Sequence, residues 1–139
     1  SYLNYAGCRD IVCLEGTARM SEDDVPVVCG VGPGSDKMIK KSKFVLMEGG
    51  MVKGITGVML YEAPTWGMGI TSIMVPANPN LPDPGSAAQF VPAISSMIPG
   101  LRLSTKPLLG EAEEIRKKIQ SDQEAAERQE EEVAGNLYG

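Results

Sequence analysis

Phe44 to Val75 reads FVLMEGGMVKGITGVMLYEAPTWGMGITSIMV, and its punctuation divides it into a strand, a glycine-rich turn, a helix and a second strand. Phe44 to Glu48 (FVLME) is apolar and ends at Gly49-Gly50, which predicts a central strand. Ile55, Val58, Met59, Tyr61 and Ala63 fall at helical spacing, so Ile55 to Thr65 is expected to be a helix that Pro64 ends or kinks. Ile70 to Val75 (ITSIMV) predicts another strand, closed by Pro76, Pro79, Pro82 and Pro84. Strand, helix and strand in this order predict a βαβ crossover. The expected class is therefore α/β, with a mainly parallel sheet flanked by helices.

Upstream, Asp10 to Leu14 (DIVCL) and Val25 to Val31 (VPVVCGV) predict two more strands, with Pro26 at the start of the second, where no ladder donor is needed. Gly16 to Asp24 between them is expected to be a loop or a weak helical turn. Gly32 to Lys43 (GPGSDKMIKKSK) is expected to be a glycine-rich surface loop with a basic cluster. Downstream, Asp83-Pro84 has the form of an N-cap followed by proline in the first turn, opening a helix over 84–98 that Pro92 bends. Leu108, Ala112, Ile115 and Ile119 then form one apolar stripe at the start of a last helix, expected over 108–134. Glu124 to Glu132 is mostly charged, so the first half of that helix should pack on the body and the second half should project. Gly135 and Asn136 suggest a flexible joint. The expected division is an α/β core over 1–107, a C-terminal helix over 108–134 and a flexible tail over 135–139. At 1.5 Å per residue the projecting part would hold Tyr138 roughly 15–20 Å from the body.

The 139 residues suffice for one domain with its own core, and 42% hydrophobic against 22% charged residues fit a folded chain. The net charge is -5 and there is no histidine, which argues against nucleic acid as a partner and excludes an imidazole metal site. No metal or cofactor is expected. No apolar run reaches the ~18 residues that span a bilayer and no leader opens the chain, so the expected location is the cytoplasm, with no membrane partner. Cys8, Cys13 and Cys29 lack paired spacing and read as reduced, buried, small apolar residues. Met47, Met51, Met59, Met68 and Met74 fit either a core or an adaptable binding surface, and Trp66 fits packing or an interface according to its exposure.

Gly49, Gly50, Lys53, Gly54 and Gly57 (GGMVKGITG) lie between a strand and a helix, where amide donors can cradle an anion or small ligand. Their spacing matches neither dinucleotide nor P-loop signatures, and close helix-to-sheet packing also explains them. A small-molecule or nucleotide-binding enzyme that uses the loop 49–57 is the alternative reading of the chain. Without histidine no serine or cysteine has an imidazole base, and of Glu15, Glu48 and Glu62 only Glu48 has a position that suggests a cleft. No catalytic residues are assigned. The last three residues offer different chemistry. Leu137, Tyr138 and Gly139 place an apolar anchor, a phenol and a terminal carboxylate behind a charged helix, the layout of a docking tail.

Taken together, the stretch from Phe44 to Val75, the turn Asp83-Pro84-Gly85-Ser86-Ala87-Ala88 and LLGEAEEIRKKIQ from Leu108 to Gln120 resemble the proteasome assembly chaperone family in its archaeal form. The resemblance covers the chain from about Asp10 onward. It implies a three-layer α/β/α sandwich like that of nucleoside phosphorylases, without their catalytic residues. Members of the family are larger, so the chain is expected to be the C-terminal part of one. The resemblance also implies a non-enzymatic protein, an assembly chaperone or activator of the 20S proteasome and a homo-oligomer. Its hydrophobic-Tyr-X tail would enter pockets between α subunits, with Leu137, Tyr138 and Gly139 in those three positions. In that mechanism a pocket lysine pairs with the terminal carboxylate and the tyrosine fixes the register.

Overall fold

The computed structural model describes residues 2–138, apart from the side chains of 130–132 and 134–138. Its elements are α1 (Tyr2–Tyr5), β1 (Asp10–Ala18), β2 (Val27–Val31), α2 (Ser35–Ser42), β3 (Val45–Leu46), α3 (Gly54–Glu62), a 3₁₀ turn (Ala63–Trp66), β4 (Gly69–Ala77), α4 (Pro84–Ala88), α5 (Phe90–Met97) and α6 (Lys106–Tyr138). The four strands form one sheet in the order β1-β4-β2-β3. β1 runs parallel to β4 and β2 parallel to β3, while β2 and β4 are antiparallel.

β4 is the centre of the molecule. Every residue from Gly69 to Pro76 is buried, as the apolar run GITSIMVP requires of a strand covered on both faces. Alternate side chains enter opposite cores. Ile73 and Val75 meet Val28, Ala93 and Met97, closed by Met38 and Ile39 of α2 and Phe90 of α5. Ile70 points the other way, to Ala63 and Met68, closed by Leu3 of α1 and by Met59 and Leu60 of α3. Helices thus cover both faces of the sheet, in an α/β arrangement. Each fully buried Ile or Val of β4 contributes about 1.5–3 kcal/mol of hydrophobic stabilisation.

Pro76 inside β4 is compatible with the ladder because β2 pairs only as far as Met74, which leaves β1 as the one neighbour at that level. On the vacant side its carbonyl accepts from Arg19 Nη2 at 2.9 Å and from Ser86 Oγ at 2.9 Å.

Five expectations need correction. Phe44 to Glu48 is an edge, not a central strand: only Val45 and Leu46 pair, with β2, and both are exposed. The predicted crossover from this segment to β4 consequently joins strands that are not neighbours and run in opposite senses; the adjacent parallel βαβ unit is β2-α2-β3. Alternation of strand and helix signals reveals the layers and leaves the neighbour open. Gly32 to Lys43, expected as a loop, contains α2, whose Met38 and Ile39 reach the core. β1 continues past Leu14 to Ala18 and takes in part of the expected loop. Finally, the helix over 84–98 divides at Gln89, three residues before the expected bend at Pro92. The proline ring clashes with the carbonyl four residues earlier, at Ala88, so the break belongs there.

Candidate functional site

The C-terminal helix is mounted on a short polar network. Asp83 caps α4: its Oδ1 accepts from Ser86 N at 2.8 Å, and its Oδ2 accepts from Asn78 N at 3.0 Å. The Ser86 hydroxyl, buried, lies 2.7 Å from Asp83 Oδ2 and accepts from Arg19 Nη2 at 3.2 Å. Partial burial alone would raise the Asp83 pKa, but the bonds from Ser86 and Asn78 and the Arg19 charge outweigh it and hold the carboxyl below its ordinary value. The anionic cap fixes the proline-rich loop, and the loop shapes the seat of α6.

α6 packs against α4, and beside that contact lies an apolar groove of about 260 Å³, lined on one side by Leu81, Pro82 and Pro84 and on the other by Ala112, Ile115 and Ile119 of α6. Leu108, Ala112 and Ile115 are half-buried at the base of α6, as the apolar stripe predicts. From Arg116 to Gln129 every residue is exposed. The helix packs at its base and its described surface beyond is solvated. Its charges pair along its own face, Arg116 to Glu113 at 2.7 Å, Lys117 to Glu113 at 4.0 Å and Arg128 to Glu124 at 3.7 Å. Such exposed pairs contribute about 0.2–0.5 kcal/mol each to a helix without tertiary support.

The helix runs unbroken to Tyr138, through Gly135 and Asn136, where a joint was expected. Leu137 and Tyr138 therefore stand in its last turn, and Gly139 lies outside the described residues. The rise from Ile119 to Tyr138 is ~28 Å at 1.5 Å per residue, longer than the projection expected from a helix ending at Ala134.

The glycine loop is spread over several structural tasks. Gly54 has φ 68° and Gly50 φ 138°, conformations that favour glycine. A Cβ on Gly57 would stand 2.4 Å from the Val52 carbonyl oxygen, so this residue lets the first turn of α3 fold against the loop. Lys53 is the N-cap of α3 without a side-chain cap bond, and Lys53, Glu48 and Gly49 are exposed. Of the expected carboxylates, Glu15 lies on β1 with one oxygen buried and unpartnered, on the sheet face where Cys13, Ser72 and Cys29 share a row across β1, β4 and β2. Burial first, then the Glu15 charge, pushes the Cys29 thiol up; burial also raises Cys13, against a bond from Thr56. With β4 between them the backbones of the two residues sit two strand spacings apart, about 9–10 Å, beyond disulfide reach. All three cysteines are free and half-buried.

Met68 and Met74 are core residues, while Met51 is 77% exposed and Trp66 is 37% exposed. Core filling, one of the two uses that the sequence left open, is seen at Met68 and Met74. Sequence reasoning missed Arg19 and Ser86 as parts of the mount, because nothing local joins Arg19 to Pro76 and Ser86, 57 and 67 positions away. Among the described residues no group of His, Cys, Asp or Glu is arranged to hold a metal, and no helix is long and apolar enough to cross a membrane.

Among solved structures, the chain is similar to Pyrococcus furiosus PbaA in a monoclinic crystal form, an archaeal homolog of proteasome-assembly chaperone, at 28% identity and TM-score 0.76. The match covers 99% of this chain and 60% of that one. Pyrococcus furiosus PbaB, an archaeal proteasome activator, shares the fold at 17% identity and TM-score 0.73, over 88% of this chain and 54% of its own. A Thermoplasma acidophilum protein of unknown function shares it at 22% identity and TM-score 0.64, over 94% of this chain and 54% of its own. The chain thus spans little more than half the length of these relatives. No curated protein matches it. Residues 1–123 match the PAC2 family.

Proposed function

The chain belongs to the PAC2 family, and from that premise we propose that it is a non-catalytic, proteasome-binding protein, an assembly chaperone or activator of the 20S particle. Its partners are the α subunits. The observation that carries this reading is the form of α6, a helix seated at its base on α4, solvated from Arg116 to Gln129, that carries Leu137 and Tyr138 in its last turn. From Arg116 to Gln129 the helix surface is solvated and paired with itself, which suits it to place its end away from the body. Leu137 supplies the apolar anchor, Tyr138 the phenol and Gly139 a carboxylate for a lysine in the pocket. The similarity to PbaA, an archaeal homolog of proteasome-assembly chaperone, supports the same partner.

A single three-residue contact is weak. A homo-oligomer that presents several tails to one ring gains affinity because each tail after the first binds at an effective concentration in the mM range. The body, lacking histidine, offers no imidazole acid or base and acts as the carrier of the helix. Deletion of residues 137–139 is expected to abolish capture of purified 20S particles in a pulldown while leaving the thermal midpoint unchanged. Undiminished capture by the shortened chain refutes the tail as the docking element.

A further inference from the structure

We infer that Arg19 and Ser86 are positioning residues for the tail: they lock α4 to the sheet, and through α4 they set the direction in which α6 carries Leu137 and Tyr138. This deepens the docking proposed above and rests on that reading for its purpose. α4 is the element on which α6 chiefly packs. With five residues, Pro84–Ala88, it is too short to hold its place by helical bonds alone. What ties it down is side-chain chemistry at one point. Ser86 is 4% exposed, and its hydroxyl lies 2.9 Å from the Pro76 carbonyl oxygen and 2.7 Å from Asp83 Oδ2 while accepting from Arg19 Nη2 at 3.2 Å. Pro76 belongs to β4, so this hydroxyl links α4 directly to the sheet.

Arg19 closes the joint from the other side. Its amide donates to the Ala77 carbonyl at 2.9 Å, which pins the residue after β1 to the end of β4. From there a single nitrogen, Nη2, reaches both the Pro76 carbonyl at 2.9 Å and Ser86 Oγ at 3.2 Å, and its two hydrogens suffice for the two acceptors. The leverage of this joint is large. From Ala112 at the base to Tyr138 the helix rises about 39 Å at 1.5 Å per residue, so a tilt of ~10° at α4 carries the tail about 7 Å sideways. A protein that binds by several tails keeps its gain in affinity only where all of them can engage together. The direction of α6 therefore bears on capture as well as the chemistry of its end.

The test separates direction from docking. Spin labels at Lys40→Cys on α2 and Asp122→Cys on α6, both exposed positions, report the direction of α6 by pulsed electron resonance. They are placed in the full chain with Cys8, Cys13 and Cys29 changed to alanine, diluted with unlabelled chain. One narrow distance is expected. Arg19→Ala or Ser86→Ala should broaden it, and Arg19→Lys, whose ammonium can donate to both oxygens, should recover it. In titrations of purified 20S particles, Arg19→Ala should weaken apparent affinity roughly fivefold or more with the tail intact, with circular dichroism to verify folding, and Arg19→Lys should restore it. A Cβ on Gly85 would stand 3.8 Å from that of Ala112, the spacing of a disulfide. Gly85→Cys with Ala112→Cys, oxidised, thus ties α6 to α4 and should leave the Arg19→Ala loss uncorrected. Unchanged distances in both alanine variants overturn the inference, as does unchanged capture by Arg19→Ala once its distances have broadened. Failure of Arg19→Lys to recover either readout overturns it too, and so does rescue by the disulfide, which would place the loose joint between α4 and α6. A native chain that fails to capture the particle refutes the tail reading instead, and the label distances still decide the joint.

Discussion

Asp83→Ala removes acceptors for Ser86 N and Asn78 N at once, and loss of such an N-cap costs about 0.5–2 kcal/mol. The effect depends on pH with a defined sign. The folded pKa of Asp83 lies below that of the unfolded chain, near 3.9, so its stabilisation is complete above about pH 4 and fades as pH falls through the folded value. Denaturant melts of the native and Asp83→Ala chains should therefore be well separated at pH 7 and converge on acidification below about pH 4. Glycines make a second comparison. Gly57→Ala drives a Cβ against the Val52 carbonyl, whereas Gly54→Ala meets open space and incurs only the left-handed backbone cost of about 1–2 kcal/mol. The thermal midpoint should fall further for Gly57→Ala. Of these residues the cap Asp83-Pro84 was legible in sequence, because capping is local. The bonds from Ser86 and Arg19 to the Pro76 carbonyl were not, since they depend on where β1, β4 and α4 come together.

The same divide between local and distant causes governs the elements. β4, α3 and the apolar base of α6 stand where their periodicity predicts, because long apolar patterns report burial directly. α2 was hidden by its composition: in SDKMIKKS only Met38 and Ile39 are apolar, too few to show a helical period. β3 was overestimated because FVLME has strand chemistry along its length, while β2 pairs with only two of its residues. For α6 the sequence revealed which half packs and placed the end four residues short, since glycine and asparagine commonly stop helices and here are carried through one. The grip on α6 is therefore local to its first turns. Ile115→Asp should strip hydrogen-exchange protection from the base of α6 while β4, sealed between two cores, keeps its own.

At the scale of the whole molecule, a sheet between two cores carries α4, α4 seats one end of a 33-residue helix, and the other end of that helix carries Leu137 and Tyr138. Class and layers were legible in the chain; the sheet order was not, because it is decided by pairings between segments far apart in sequence. The tail itself is tested most directly by co-sedimentation of the intact chain and its Tyr138→Ala variant with purified 20S proteasome, at equal concentration and with equal thermal midpoints. The native chain should pellet with the particle and the variant should remain in the supernatant; equal pelleting of the two would contradict docking through the tail.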